Sequence, residues 1–383
     1  MLNLFINNQN IMKTYQLILA AALVAITGCN KSNVENNVNA ESNEIGFQTV
    51  VRKATKANDA IFTGATYATD EGNTFNVWGW QSAEGDFSDV SDNANSNFMP
   101  GVEISWTKGA VPASHDFAWR NAEHYYYWPF TGAIGFMAIH PSTVSPTTAK
   151  WDATYNKAKA TFADYTISAA NKTTDLMFAY AAGSRTTGLD GLGRLSMVFS
   201  HALSQIQFRI RTDEDYSNDV TFSVNSITLN DIDLSGDLAY GWGEITPAVE
   251  ETPAVMGFKF NWTDNLEQDD TWAYYSTSQN AVYPSEGLDA NAATYGNANV
   301  MIPQPANTLG ESDESQTTIT INYTMTQTNS AALNGTVTVA APQNWVAGSK
   351  YMYTLNFKLK EILFNPSVTN WVTVNVDTIN IFD

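Results

Sequence analysis

Residues that could carry out acid–base, nucleophilic or metal chemistry are few in this sequence. It contains four histidines, His115, His124, His140 and His201. None has the spacing of metal ligands, and one cysteine cannot build a zinc site. His201 precedes Ser204 in the segment FSHALSQ, but no carboxylate that could orient this histidine lies close in sequence. His201 lies two residues from Phe199 and from Leu203, so we expect it to face the interior and to find hydrogen-bond partners there. We therefore predict no catalytic residue.

The segment DIDLSGD, at 231–237, begins like a calcium-binding loop, with oxygen-bearing side chains at alternate positions. The twelfth position of such a loop is a bidentate glutamate, and here it is Trp242. Ile232 and Leu234 alternate with polar residues as they would in a strand. Calcium is the alternative, but we predict no metal and no cofactor.

Cys29, the only cysteine, lies where a lipid anchor would be attached. Met12-Lys13 is followed by YQLILAAALVAI, an apolar run of about a dozen residues, which is typical of a signal peptide and too short to span a bilayer. The segment ITGC that ends at Cys29 resembles the lipobox of bacterial lipoproteins, in which the sulfur takes a diacylglycerol. We therefore predict a signal peptide at residues 1–28, with Met12 as the true start of translation. We also predict that Cys29 is lipidated. A chance cysteine behind an ordinary signal peptide is the alternative.

Composition excludes several classes of protein. Lys and Arg number 19 against 39 Asp and Glu, for a net charge of −20, so nucleic acid is not an expected partner. Hydrophobic residues make up 44% and charged residues 15%, which excludes general disorder. A single cysteine allows no disulfide within the chain, so stability must come from packing.

Short segments of period-two alternation, separated by turn residues, predict an all-β protein built of sandwiches. The clearest are TFNVWGW (74–80), IGFMAIH (134–140), VTFSVNSITL (220–229), TTITINYTM (317–325), GTVTVAA (335–341) and YMYTLNFKL (351–359). The segment 151–164 is the best helix candidate, although a weak one. The Gly-rich segment GLDGLG, at 188–193, is the best candidate for a domain boundary, and the loop 246–255 is expected to be exposed.

The segment from Met197 to Ile210 changes its alternation in the middle. Met197 and Phe199 share one parity, whereas Ile206 and Phe208 share the other. One extra residue reverses every face beyond it, so this segment must contain either a β-bulge or a strand crossover near Ser204.

The same segment is the first of several that resemble segments of a known family. FSHALSQIQFRI (199–210) resembles a signature of the fimbrillins, the subunits of type V pili in Gram-negative anaerobes. Further similar pieces are HYYYWPFTGAIGFMAIHP (124–141), TTDLMFAYAAG (173–183), NVMIPQ (299–304), ITINYT (319–324) and WVAGSKYMYTLNFKLKEILFNPSVTNW (345–371). They occur in the family's order and cover most of the chain after Cys29. The resemblance implies two tandem transthyretin-like β-sandwiches, which we place at 53–190 and 191–383.

The resemblance also implies a route of maturation. Fimbrillins are exported as lipoproteins, and a trypsin-like protease then removes the anchor together with the first strand, leaving a groove that the next subunit fills. Here residues 29–52 would be the lipid-anchored propeptide, ending at Arg52-Lys53 as the cleavage site, with Lys56 as a second possible cut. Its segment EIGFQTVV offers a removable strand with one face made of Ile45, Phe47, Thr49 and Val51. The alternative is that Arg52 is only an exposed basic residue in a linker.

The tail VTVNVDTINIFD, at 372–383, is the best candidate for the donated strand. Its apolar residues are Val372, Val374 and Val376 on one face, and Ile379 and Ile381 of opposite parity. The resemblance thus implies a fimbrial subunit supporting adhesion, anchored in the outer membrane through Cys29 and then released into an extracellular fimbrium. Its partners would be other fimbrillin subunits, outer-membrane lipid, the maturation protease and surface ligands of a host or another bacterium. The alternative function is a surface lipoprotein that binds glycans, since 11 Trp and 17 Tyr could include an exposed stacking platform.

Overall fold

A computed structural model describes residues 44–51, 73–108, 117–189, 193–212, 219–246, 254–263, 270–283, 293–304, 317–341, 344–358 and 362–370, and the pairs 215–216 and 373–374. Every regular element in these ranges is a β-strand. In this part of the chain no helix is long and apolar enough to cross a membrane.

The strands follow one another along the chain without an intervening helix in the described ranges. They are β1 (Gly46–Val51), β2 (Thr74–Ser82), β3 (Met99–Lys108), β4 (Phe117–Arg120), β5 (Ala133–His140), β6 (Thr148–Asp152), β7 (Lys157–Thr166), β8 (Met177–Gly183), β9 (Arg194–His201), β10 (Ser204–Thr212), β11 (Val220–Ile232), β12 (Ser235–Thr246), β13 (Val255–Thr263), β14 (Asp270–Tyr275), β15 (Gln279–Asn280), β16 (Ala293–Met301), β17 (Thr318–Gln327), β18 (Leu333–Ala340), β19 (Ser349–Phe357), β20 (Ile362–Asn370) and β21 (Thr373–Val374).

These strands form four sheets. One closes into a barrel in the order β1-β4-β3-β2-β5-β8-β9, with β9 paired back to β1. A four-stranded sheet has the order β13-β12-β7-β6. The other two sheets have the orders β16-β10-β19-β20-β21 and β14-β11-β17-β18, and β15 pairs with β11 beside the second.

Strand β5 shows why its sequence is a continuous apolar run. Ile134 and Phe136 point into the barrel, where they join its interior core. Met137 and Ile139 point the other way, into a core shared with Trp151 and other residues of the four-stranded sheet. A strand buried on both faces needs apolar residues at every position. The barrel wall and the four-stranded sheet therefore make one sandwich.

The two remaining sheets enclose a separate core. Phe208 and Tyr353, from β10 and β19, stack with ring centroids 5.3 Å apart. Phe208 also meets Tyr274 of β14 from the opposite sheet, at 4.8 Å. Ile227 and Ile321 complete the opposite layer. The predicted all-β class and its sandwich packing are confirmed.

The helix candidate at 151–164 is wrong, since this segment forms part of the β6–β7 hairpin. Ala158, Ala160 and Phe162 are buried, whereas Lys157 and Lys159, which alternate with the two alanines, are partly exposed. This is period two, but alanine gives a weak apolar signal and also favours helices, so the pattern is easily misread.

The change of parity near Ser204 is a strand crossover. Strand β9 ends at His201 in the barrel, and β10 begins at Ser204 in another sheet. Phe199 belongs to the barrel core, whereas Phe208 belongs to the core of the second sandwich. Of the two alternatives that the sequence allows, the chain uses the change of sheet.

The Gly-rich segment 188–193 connects β8 to β9. Both strands belong to the barrel and pair with each other, so a division at residue 190 would cut through that sheet. The chain leaves the barrel between His201 and Ser204. The division into domains 53–190 and 191–383 stays a prediction.

Candidate functional site

Strand β1 closes the barrel. It runs parallel to β9, with Gly46 opposite Arg194 and Val51 opposite Phe199. On its other side it pairs antiparallel with β4, where Phe47 lies opposite Trp119. Just before it, the amide of Ile45 donates a hydrogen bond to the carbonyl of Tyr126 at 2.7 Å. The strand is therefore held by backbone bonds along both edges.

The side chains of β1 fill the barrel interior. Phe47 is fully buried, and Ile45 before it is 2% exposed. The ring of Phe47 meets those of Phe136 and Phe75 edge-on, with centroids 5.3 and 6.4 Å apart. Thr49 is half-buried, and the side chain of Val51 lies outside the described residues. Among the described side chains of the predicted face, Ile45 and Phe47 belong to the buried core, whereas Thr49 is only half-buried.

Removing β1 would create a groove with defined chemistry. Strands β4 and β9 would each lose a paired edge, and unpaired strand edges readily accept another chain. The rings of Phe75 and Phe136 in the core would lose the apolar cover that Phe47 provides. Such a groove binds an extended segment through main-chain hydrogen bonds and through pockets for alternate side chains.

The predicted processing sites lie outside the described residues. Cys29 precedes residue 44, where the description begins, and Arg52, Lys53 and Lys56 fall in the gap between β1 and residue 73. The sequence places Arg52 directly after the last residue of β1. Lipidation and cleavage at these positions stay predictions.

The predicted donor tail is described only at Thr373–Val374, which forms β21. These two residues pair antiparallel with β20, where Val374 lies opposite Val368 and Thr373 opposite Thr369. Val372, Val376, Ile379 and Ile381 lie outside the described residues. In its described part the tail is an edge strand paired along two residues.

His201 is buried, and its Nδ1–H donates a hydrogen bond to the carboxylate of Asp175. Asp175 is 1% exposed and lies 26 residues earlier, so sequence reasoning missed it. The hydroxyl of Ser204 donates instead to the carbonyl of Met301 at 3.0 Å. The histidine and the serine thus have separate partners, and both contacts connect elements of the fold.

The segment DIDLSGD joins β11 to β12. The amide of Asp233 donates to Oε1 of Gln304 at 3.0 Å, and Nε2 of Gln304 donates to the carbonyl of Asp233 at 3.1 Å. Among the described residues no three His, Cys, Asp or Glu side chains are grouped as metal ligands. The side chain of Gln304 therefore ties this turn to the strand that ends at Met301.

His140, at the end of β5, is also buried. Its Nδ1–H donates to the carbonyl of Thr74 at 2.9 Å. Burial disfavours the imidazolium ion and lowers the pKa of His140 to about 4, although the Thr74 carbonyl and the Asp175 carboxylate act in the opposite direction. The folded protein therefore holds this side chain neutral at pH values where an unfolded chain protonates it.

We expect the free energy of unfolding to fall as the pH decreases from about 6.5 to about 4, by up to about 3 kcal/mol from this one group. The folded-state pKa lies below the unfolded value, so the contribution is complete above pH 6.5 and is lost towards pH 4. Urea titrations at several pH values measure it. A His140→Gln variant should show a smaller pH dependence, whereas His124→Gln, at an exposed position, should match the wild type. Equal pH dependence of all three proteins would contradict the expectation.

Comparisons with known proteins identify the family of this chain. A family model described as fimbrillin-like matches residues 53–371. A crystal structure of a fimbrial protein from Bacteroides vulgatus is 20% identical, with a TM-score of 0.52, over 86% of this chain and 99% of that one. This similarity supports a shared fold.

Two further solved structures are more distant. A protein from Bacteroides ovatus assigned to cell adhesion is 16% identical, with a TM-score of 0.44, over 87% of this chain and 99% of that one. A fimbrial assembly protein from Parabacteroides distasonis is 8% identical, with a TM-score of 0.36, over 85% and 96%. No curated protein matches the chain.

Proposed function

Because this chain belongs to the fimbrillin-like family, we propose that it is a structural subunit of a cell-surface type V pilus, made as a lipid-anchored precursor and polymerised by strand exchange. The observation that carries the proposal is the position of β1, which is paired on both sides and closes the barrel. It is the first strand of the described chain, so one cut behind it would separate it from the rest.

The cut would fall at Arg52 or Lys53, immediately after Val51. Because Cys29 lies on the same side of this cut as β1, cleavage would release the subunit from its lipid and open the groove in one step. Several acyl chains hold a bacterial lipoprotein firmly, whereas one chain alone binds a membrane only marginally. The precursor would thus stay at the outer membrane until the maturation protease acts, and the cleaved subunit would enter the extracellular fimbrium.

Another subunit would then fill the groove with the tail at 372–383. Each new main-chain hydrogen bond contributes about 1 kcal/mol, and each apolar side chain that becomes buried contributes about 1.5–3 kcal/mol. A strand of about ten residues bound in this way dissociates slowly, which suits a fibre exposed to solvent. Adhesion would follow from the exposed position of the fimbrium, with a surface ligand of a host or another bacterium as the final partner.

Limited trypsin cleavage tests the proposal. The wild-type chain should lose its N-terminal segment and form oligomers that are visible by size-exclusion chromatography and electron microscopy. A variant with Arg52→Ala, Lys53→Ala and Lys56→Ala should keep β1 and stay monomeric. A Lys31→Ala variant, which removes a basic residue from the same propeptide, should assemble like the wild type. Filaments of the triple variant as long as those of the wild type would overturn the proposal.

A further inference from the structure

One face of the four-stranded sheet carries three lysines in a line across its strands. Lys150 on β6 lies opposite Lys159 on β7, and Gly241 on β12 lies opposite Lys259 on β13. Tyr240 pairs with Ala160, so Gly241 is the next position across from Lys159. We name Lys150, Lys159 and Lys259 the lysine row. The chain has only 19 Lys and Arg in 383 residues and a net charge of −20, so three lysines in one line across a sheet are a local exception.

The lysine row crosses an open cavity of about 440 Å³. Its walls carry polar side chains from each side of the row, including Thr148, Asp152, Thr161 and Asn261. The base of the cavity is lined by two small residues of β12, Ala239 and Gly241. The side chain of Lys259 runs from its position opposite Gly241 towards Gly243, since a Cβ added at Gly243 would lie 3.1 Å from its Cε.

The loop before β3 closes one end of the cavity. The amide of Asn93 donates to the carbonyl of Trp151 at 2.9 Å, and the amide of Trp151 donates to the carbonyl of Ala94 at 3.0 Å. This loop therefore runs along β6 as an additional edge. It brings the side chains of Asp92 and Asn95 within reach of the lysine row.

The three ammonium groups differ in their partners. Nζ of Lys159 lies 3.3 Å from the carboxylate of Asp92 and 3.9 Å from that of Asp152. Nζ of Lys150 bonds the side-chain oxygen of Asn95 at 2.5 Å, and Nζ of Lys259 lies 3.5 Å from the carbonyl of Glu244. In the described ranges no carboxylate lies within 4.0 Å of Lys150 or Lys259. The outer two lysines are therefore the ones available to an anion.

The position of the row within the sheet restricts what can bind. β7 and β12 are the central strands and are paired on both sides, so they offer no free edge for an added strand. A ligand must instead bind to side chains. The carboxylates of Asp92 and Asp152 would repel a dense polyanion, but they accept hydrogen bonds from hydroxyl groups, as Asn261 and the two threonines also can.

We propose that the lysine row binds an acidic oligosaccharide, with one carboxylate at Lys150, another at Lys259 and sugar hydroxyls between them. The backbones of the two lysines are three strand spacings apart, about 14 Å at about 4.8 Å per spacing. A lysine side chain is long and flexible, so the two ammonium groups can reach carboxylates on separated sugars of an extended chain. The site uses neither β1 nor the tail, so it does not depend on fimbrial assembly.

Calorimetric titration of the uncleaved, monomeric chain tests the proposal. Short hyaluronan oligosaccharides, in which every second sugar carries a carboxylate, are the probe. Chitin oligosaccharides of the same length supply a neutral comparison, and heparin oligosaccharides supply a densely sulfated one.

Lys150→Gln combined with Lys259→Gln should weaken hyaluronan binding at least about tenfold, because two charge-assisted hydrogen bonds are lost. Arg185→Gln combined with Lys172→Gln also removes two positive charges, but outside the cavity, and should leave the affinity for hyaluronan unchanged. Gly241→Leu, which fills the floor and keeps every lysine, should also weaken binding.

Tighter binding of hyaluronan than of either comparison sugar, with loss in both cavity variants, supports the proposal. Absence of hyaluronan binding overturns it. The proposal also fails if the chain binds heparin more tightly than hyaluronan and only salt, not the cavity variants, weakens that binding. The lysines would then attract polyanions in general. If the lysine variant changes self-association but not the affinity for hyaluronan, the row is a contact between subunits and the proposal fails.

Discussion

Replacing Phe47 by alanine is expected to lower the free energy of unfolding of the uncleaved chain by about 3–5 kcal/mol, and to leave the assembled fimbrium unchanged. Phe47 is fully buried and meets Phe136 and Phe75 in the barrel interior, so its loss leaves a cavity among aromatic rings. If β1 departs on maturation, this cavity exists only in the precursor. The weakened strand should also leave its groove more easily, so the variant should form some oligomers before cleavage.

Urea denaturation of the uncleaved chain measures the first part, and thermal disassembly of trypsin-matured filaments measures the second. Gln48→Ala is the matched control, because Gln48 is the next residue of β1 and is only half-buried. The side-chain oxygen of Gln48 accepts a hydrogen bond from Arg194 at 3.4 Å, so this control should lower the free energy of unfolding by about 1 kcal/mol, well below the effect of Phe47→Ala. A Phe47→Ala filament that disassembles at a lower temperature than wild type would show that β1 stays in the fimbrium, against the proposed exchange.

Truncating the chain after Trp371 is expected to stop filament growth while leaving cleavage and strand acceptance intact. The truncated subunit keeps β1 and the strands that border its groove, but it lacks 372–383 and has nothing to donate. Alone it should form no filaments, and added to wild-type subunits it should shorten filaments by capping their growing ends. Val374→Asp should act in the same way, because burying an unpaired carboxylate costs several kcal/mol.

Filament length in mixtures of trypsin-matured proteins, measured by electron microscopy, checks this prediction. Val374→Ile keeps an apolar β-branched residue at the same position and should polymerise like the wild type. In the described part of the chain, the tail pairs with β20 at Thr373 and Val374. A truncated chain that polymerises as well as the full one would show that the donated strand lies elsewhere.

Local patterns in the sequence were sufficient to predict most individual strands. The segment 220–229 lies within β11 and 134–140 within β5, because alternation and apolar runs reflect burial directly. Phe47 could be placed on a strand in the same way. No local signal indicates that this strand lies between β4 and β9, since its contact with Leu195 joins residues far apart in the chain.

The features that sequence reasoning missed depend on such distant contacts. Asp175 becomes the partner of His201 only because β8 and β9 bring Met177 opposite His201. Lys150 and Lys159 belong to one hairpin and could be paired from the sequence. Lys259 joins them only through the pairing of β12 with β7, which the residues themselves do not indicate.

Under the proposed strand exchange, the covalent connection between β1 and the barrel would set when the groove can be filled. Only residues 52–73 separate the end of β1 from the start of β2. A strand joined to its own groove by a short connection competes at an effective concentration of about millimolar. The tail of a neighbouring subunit would have to exceed that concentration to displace β1, which dilute precursors do not. Cleavage behind β1 would end this intramolecular advantage while leaving the contacts of β1 in place, so peptide-bond hydrolysis would determine when assembly begins.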